Sequence, residues 1–222
     1  MGALRAVFFD LDGTLVRYHG VDFESSWGAI AAAAGVSEAS SQLLQEFLPK
    51  RSHYADWVRR DAELLTGIPV SQVAEQIFPP PLADGVRDVI DELRGRYLLG
   101  IVSSGVALVA DRVCDELGLD FAIANHLQAE DGRFSGESVL RVDLWGKADV
   151  VRSVVAQRGL SLADVCYVGD HINDIPVMEI VGLSIAVHAK DPAVEAACDH
   201  VAPHFSDIPE LIARHEEAVA FS

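Results

Sequence analysis

Apolar residues follow two rhythms along this chain. The run Ala6, Val7, Phe8, Phe9 is short, β-branched and aromatic, and it stops at Asp10, Leu11, Asp12 and Gly13. A continuous apolar run bounded in this way predicts a buried parallel strand that delivers carboxylates to its C-terminal edge. From Arg17 to Pro81 the spacing is helical: Trp27, Ile30, Ala31 and Ala34 form one stripe, and Leu43, Leu44, Phe47 and Leu48 a second. A third runs through Trp57, Val58, Ala62, Leu64 and Leu65, and a fourth through Val73, Ile77 and Phe78. Pro79, Pro80 and Pro81 cannot continue a helix and stiffen the return.

Beyond Asp84 helical and extended patterns alternate, the signature of a doubly wound parallel sheet. Helices are predicted at Val86 to Leu93, Val106 to Leu117 and Ala148 to Gln157; strands at Leu98 to Ser103, Phe121 to Ala124, Val165 to Asp170 and Ile185 to Val187. Asp131 and Gly132, between extended segments at Glu130 to Gly136, predict a small hairpin flap. The expected fold is therefore α/β. Residues 1–16 and 82–222 form the sheet domain, and 17–81 a helical cap inserted after the first strand.

A length of 222 residues allows a core domain and one modest insertion. The net charge of −17 argues against nucleic acid or an anionic membrane surface, which need a basic face. No apolar run near the start or elsewhere approaches the roughly 18 residues of a membrane span, so a cytoplasmic monomer or homodimer is expected. Cys114, Cys166 and Cys198 are odd in number and far apart, and read as reduced core thiols.

Candidate chemistry lies where strands end. Asp10 and Asp12 would repel each other without a positive partner, and a hard divalent cation such as Mg²⁺ is the usual one. Ser103, Ser104 and Gly105 end the second strand, and Gly169, Asp170, His171, Ile172, Asn173 and Asp174 follow a later one. Parallel neighbouring strands bring such ends to one crevice. Lys147, one of three lysines, stands at a helix start, where the macrodipole disfavours a cation. Taken singly each has an ordinary alternative: a capping acid, a loop serine, a surface lysine.

Together and in order, these pieces resemble the four motifs of the haloacid dehalogenase superfamily of phosphohydrolases, from Ala6 to about Ile208. Asp10-Leu-Asp-Gly-Thr-Leu-Val16, Ile101-Val-Ser-Ser-Gly105, Lys147 and Gly169-Asp-His-Ile-Asn-Asp-Ile-Pro-Val-Met178 are most similar to the phosphoserine phosphatase group. The resemblance implies a phosphomonoester hydrolase acting on a small phosphorylated metabolite through an aspartyl-phosphate. Asp10 would be the nucleophile and Asp12 the acid and base, while Ser103 and Lys147 would hold phosphoryl oxygens. Gly13, Ser104, Gly105 and Asn173 would line the phosphate and substrate site. Mg²⁺ would be held by the Asp10 carboxylate, the Asp12 carbonyl and Asp170, with Asp174 supporting the metal or Lys147.

Several readings stay open. A sugar or nucleotide phosphate, phosphotransfer to another alcohol, and a fold kept for binding without turnover are alternatives to phosphoserine hydrolysis. His171 is expected not to be a ligand, Trp27, Tyr54 and Trp57 to be cap interior, and Arg59 and Arg60 to be solvated. The group's cap glutamate and arginine align with His19 and Asp61, so both recognition charges are missing; Glu24 with Arg59 or Arg60 would replace them only after a register shift.

Overall fold

The computed structural model describes residues 3–220; residues 1, 2, 221 and 222, which the expected sheet domain includes, lie outside the described residues. The first strand, β1 (Ala6–Phe9), is followed by four helices, α1 (Ser26–Ala34), α2 (Ser37–Phe47), α3 (Tyr54–Leu64) and α4 (Val70–Ile77). Then come α5 (Val86–Leu93), β2 (Leu98–Val106), α6 (Ala107–Leu117), β3 (Phe121–Glu130), β4 (Arg133–Val139) and α7 (Lys147–Gln157). The chain continues through β5 (Val165–Gly169), α8 (Ile175–Met178), β6 (Leu183–Val187), α9 (Pro192–Ala197), β7 (His200–Ala202) and α10 (Ile208–Ala220).

The strands form one sheet in the order β4-β3-β2-β1-β5-β6-β7, parallel except where β4 pairs antiparallel with β3. Strand order reverses on either side of β1, so the crevice beyond its C-terminal end is the place where an open α/β sheet receives a ligand. Alternation puts Val7 and Phe9 into one core with α5, α6 and α10, and Ala6 and Phe8 into another with α7, α8 and α9. Both faces are covered, which is why β1 reads as unbroken apolar sequence. Ile30, Ala33, Val73 and Ile77 of α1 and α4 belong to the first core, continuous with Leu15 and Val106.

Two strands run beyond their predicted ends. β2 continues to Val106, with a register shift between Val102 and Val106, and β3 continues to Glu130 as the first arm of a hairpin. The turn is Asp131 and Gly132, both at positive φ, the two-residue geometry that suits right-twisted strands. The hairpin leans on the helical segment: Gly67 N–H donates to Phe134 O at 2.8 Å and Val70 N–H to Gly132 O at 2.9 Å. The sequence reading did not include β7, three residues long, or α10. The three cysteines carry no disulfide. Among the described residues no helix is long and apolar enough to cross a membrane.

Candidate active site

The ends of β1, β2 and β5 meet the start of α7 at one point. Lys147 is fully buried, with Nζ 3.1 Å from Asp10 Oδ1 and 2.5 Å from Asp174 Oδ1. Asp10 Oδ1 also accepts from Leu11 N–H at 2.8 Å, which fixes the carboxylate at the strand end. Asp174 is held by Tyr167, whose hydroxyl donates to Oδ1 at 2.8 Å, and by the N–H groups of Asp170 and His171 on Oδ2 at 3.1 and 3.0 Å. Burial alone would lower the Lys147 pKa, but the charges of Asp10 and Asp174 outweigh it and push the ammonium above its ordinary range. The cation expected from sequence is thus placed among the acids.

Asp12 turns away from that pair. Its Oδ1 accepts from Ser26 N–H at 2.8 Å and its Oδ2 from Ser26 Oγ–H at 2.7 Å. Burial pushes its carboxyl up to about 7, against the pull of those two bonds. An acid in that range both gives and takes a proton at neutral pH. Between these acids the backbone turns at Gly13, φ +86°, and a Cβ there would lie 2.1 Å from Asp170 Oδ2. Only glycine fits, by torsion and by space.

Asp10, Asp170 and Asp174 each offer a carboxylate oxygen, and these three lie within 4.8 Å of one another. Thr14 Oγ–H donates to Asp170 Oδ1 at 2.9 Å. Burial, then the charges of Asp10 and Asp174, hold the Asp170 carboxyl well above the usual range. That is an excess of negative charge in a dry place, and a divalent cation with oxygen ligands fits it. The Asp12 carboxylate, engaged by Ser26, is outside this cluster. His171 is outside it as well, its Nδ1 against Asn173 Oδ1 at 3.1 Å.

Ser103 and Ser104 are buried at the end of β2, and Ser103 Oγ accepts from Gly105 N–H at 3.1 Å. Asn173 Nδ2 donates to Ser104 Oγ at 3.3 Å. A Cβ on Gly105 would sit 2.5 Å from Asp12 Oδ2. A family model for haloacid dehalogenase-like hydrolases matches residues 7–179. This chain belongs to that family. A phosphoserine phosphatase of Methanocaldococcus jannaschii is 30% identical over 197 residues, 87% of this chain and 90% of that protein. One of Archaeoglobus fulgidus is 33% identical over 196 residues, 87% of this chain, which spans only 55% of that longer relative. A solved structure described as a phospho-aspartyl intermediate analogue of phosphoserine phosphatase has a TM-score of 0.77 at 27% identity, covering 96% of this chain and 99% of that one.

Above the acids of this hydrolase opens a cavity of about 130 Å³. Its outer wall departs from the sequence reading: Trp27, Tyr54 and Trp57, expected in the cap interior, line the crevice. The reason is that Trp27 Nε1–H and Tyr54 O–H both donate to Ser104 O, at 3.0 and 2.8 Å, and so draw their rings over the site. Asn125 Nδ2 donates to the same carbonyl at 2.8 Å. Glu24, Arg59 and Arg60 do not line the crevice; Glu24 faces Lys190 and Arg17, Arg59 faces Glu63, and Arg60 faces Glu46. His19 is exposed beside Glu24. Asp61 is buried in the wall, and burial pushes its carboxyl up to about 6 despite a hydrogen bond from Ser40.

Residues that sequence reasoning missed are Thr14, Ser26, Asn125 and Tyr167, each a hydrogen-bond partner of a site group. For Thr14 a signal existed, since it lies within the first motif. The other three lie in other segments and gain their roles only through folding.

Proposed function

We propose that this hydrolase is a Mg²⁺-dependent phosphatase that cleaves a small phosphomonoester through an aspartyl-phosphate at Asp10. The observation that carries the reading is a fully buried Lys147 between Asp10 and Asp174 at the carboxyl edge of the central strand. Asp10 attacks phosphorus with a carboxylate oxygen, and the acyl phosphate so formed is open to water. Lys147 and Ser103 hold the phosphoryl oxygens as charge moves onto them. Asp12, held by Ser26, protonates the leaving alkoxide and afterwards takes a proton from the attacking water. Asp10, Asp170 and the Asp12 carbonyl would hold Mg²⁺, with Asp174 supporting the metal or Lys147; the ion would supply electrostatic stabilisation of the phosphoryl charge.

Gly13, Ser104, Gly105 and Asn173 border the phosphoryl and substrate space. Residues 17–81 act as a cap that keeps water out and reads the organic part of the substrate. Similarity over most of the chain to phosphoserine phosphatases supports the phosphatase reading. The test is hydrolysis of p-nitrophenyl phosphate with and without Mg²⁺. Turnover that needs the ion and is lost in Asp10→Asn supports the reading, and undiminished turnover by that variant overturns it.

A further inference from the structure

The outer wall of the crevice holds acids and aromatic rings with no cation among them. Tyr54, Trp57 and Asp61 stand at helical spacing on one face of α3, so all three reach the same cavity. Asp61 Oδ1 accepts from Ser40 Oγ at 3.0 Å, and the next residue, Ser41, donates to Asp22, a second acid in the lining. Adjacent serines of α2 thus pin two carboxylates to the wall. Phe23 completes it from the other side, its ring 6.5 Å from that of His171, with its backbone at φ 54°, a conformation rare for a bulky residue.

The polar ends of Trp27 and Tyr54 are engaged by the Ser104 carbonyl. What these two turn toward the cavity is ring, while the Trp57 indole N–H is buried beside Asp61. Among the described residues no lysine or arginine lines it, while five aspartates do. A carboxylate on the substrate would therefore meet like charge and no lysine or arginine, although the phosphoserine phosphatases that this chain resembles are named for a substrate that carries one. An ammonium group meets the reverse: carboxylates to neutralise and aromatic faces that attract a cation. The cavity of about 130 Å³ compares with the ~150 Å³ that takes one benzene, so the organic part is small.

Resting on the phosphatase reading, we infer that the substrate is the phosphomonoester of a small amino alcohol, with its ammonium end against Asp61, Trp57 and Tyr54 and with no carboxylate. The experiment compares kcat/KM for phosphocholine, phosphoethanolamine, O-phosphoserine and 3,3-dimethylbutyl phosphate, the uncharged isostere of phosphocholine, with p-nitrophenyl phosphate as control. At least one ammonium ester is expected to exceed both the isostere and phosphoserine by about tenfold or more. Its preference over the isostere is expected to fall about tenfold in Asp61→Asn, and also in Trp57→Leu. Equal turnover of ester and isostere, or phosphoserine as the best substrate, overturns the inference while the control shows that the phosphatase stands. Failure to cleave even the control with Mg²⁺ present overturns the phosphatase reading and this one with it.

Discussion

At the floor of the crevice Lys147 is buried between Asp10 and Asp174, and each acid there has a charged or hydrogen-bonding partner elsewhere in the chain. In the wall built by α3, Asp61 is buried with the Ser40 hydroxyl on Oδ1, the Trp57 indole beside it and no cation among the described residues. Both regions bury carboxylates, and burial raises Asp10 and Asp61 alike. The floor supplies its own cation. The wall leaves that charge uncompensated, and a group in such a state either weakens the fold or awaits a ligand. The contrast separates machinery that must be complete before substrate arrives from a surface that substrate itself completes.

The floor is broken most severely by Asp10→Asn. It keeps volume and hydrogen bonding but removes the nucleophile, so kcat is expected to fall on the order of a thousandfold or more, read in a steady-state phosphatase assay. Lys147→Met tests compensation directly. It strands the Asp10 and Asp174 carboxylates without their cation, and urea unfolding is expected to show a loss of about 3–5 kcal/mol. The second substitution Asp174→Asn in that background should restore part of the loss, and an additive double-mutant cycle would show that the pair does not act as a unit. Mg²⁺ is expected to raise the stability of the native chain by about 2.7 kcal/mol at a hundred times its Kd, an effect that Asp170→Asn should abolish in thermal unfolding.

The wall responds with the opposite sign. Asp61 has a carboxyl raised from 3.8 to about 6, so the folded chain keeps this proton over a range where the unfolded chain has released it. Stability from this group is full at low pH, declines as pH rises between those values, and is lowest above about 6. The accumulated penalty at neutral pH is about 2–3 kcal/mol. Asp61→Asn keeps a partner for Ser40 and removes the charge, and is expected to stabilise the fold at pH 7 by about 2 kcal/mol and to flatten the profile between pH 4 and 6.5. Destabilisation instead would mean that the carboxylate already has its compensation, and the contrast with the floor would fail.

The floor was legible in the sequence because each of its pieces is a short polar segment directly after an apolar run. Asp10 and Asp12, Ser103 to Gly105, and Asp170 to Asp174 announce themselves by where a strand stops. Lys147 is the wrong charge for a helix start, but alone it reads as a surface cation and was legible only through the order of the motifs. The wall was not, because Tyr54, Trp57 and Asp61 repeat at the spacing of any buried helical stripe, and spacing does not say whether the burying surface is protein or ligand. Ser26 and Asn125 were hidden for another reason: Ser26 lies 14 residues from Asp12, and Asn125 21 from Ser104, and nothing local marks either contact. β2 and β3 were read short because their last residues are polar, as strand ends that build a site or a hairpin must be.

The finest division of the comparison is at the Ser104 carbonyl, where the wall hangs on the floor. Three donors converge on it: Trp27 Nε1 at 3.0 Å, Tyr54 O–H at 2.8 Å and Asn125 Nδ2 at 2.8 Å. A carbonyl oxygen has two lone pairs, so three donors share what two would saturate. Removing one by Tyr54→Phe therefore leaves the acceptor satisfied and strands no polar atom. The expected loss is below the ~1 kcal/mol of an ordinary buried hydrogen bond, with kcat for p-nitrophenyl phosphate within about threefold of the parent. Asn125→Ala should cost more, because the same side chain also donates to Val142 O and accepts from Arg141 and Val142 N–H, which it would leave unpaired. A larger loss for Tyr54→Phe than for Asn125→Ala would mean that the wall positions Ser104, rather than Ser104 the wall.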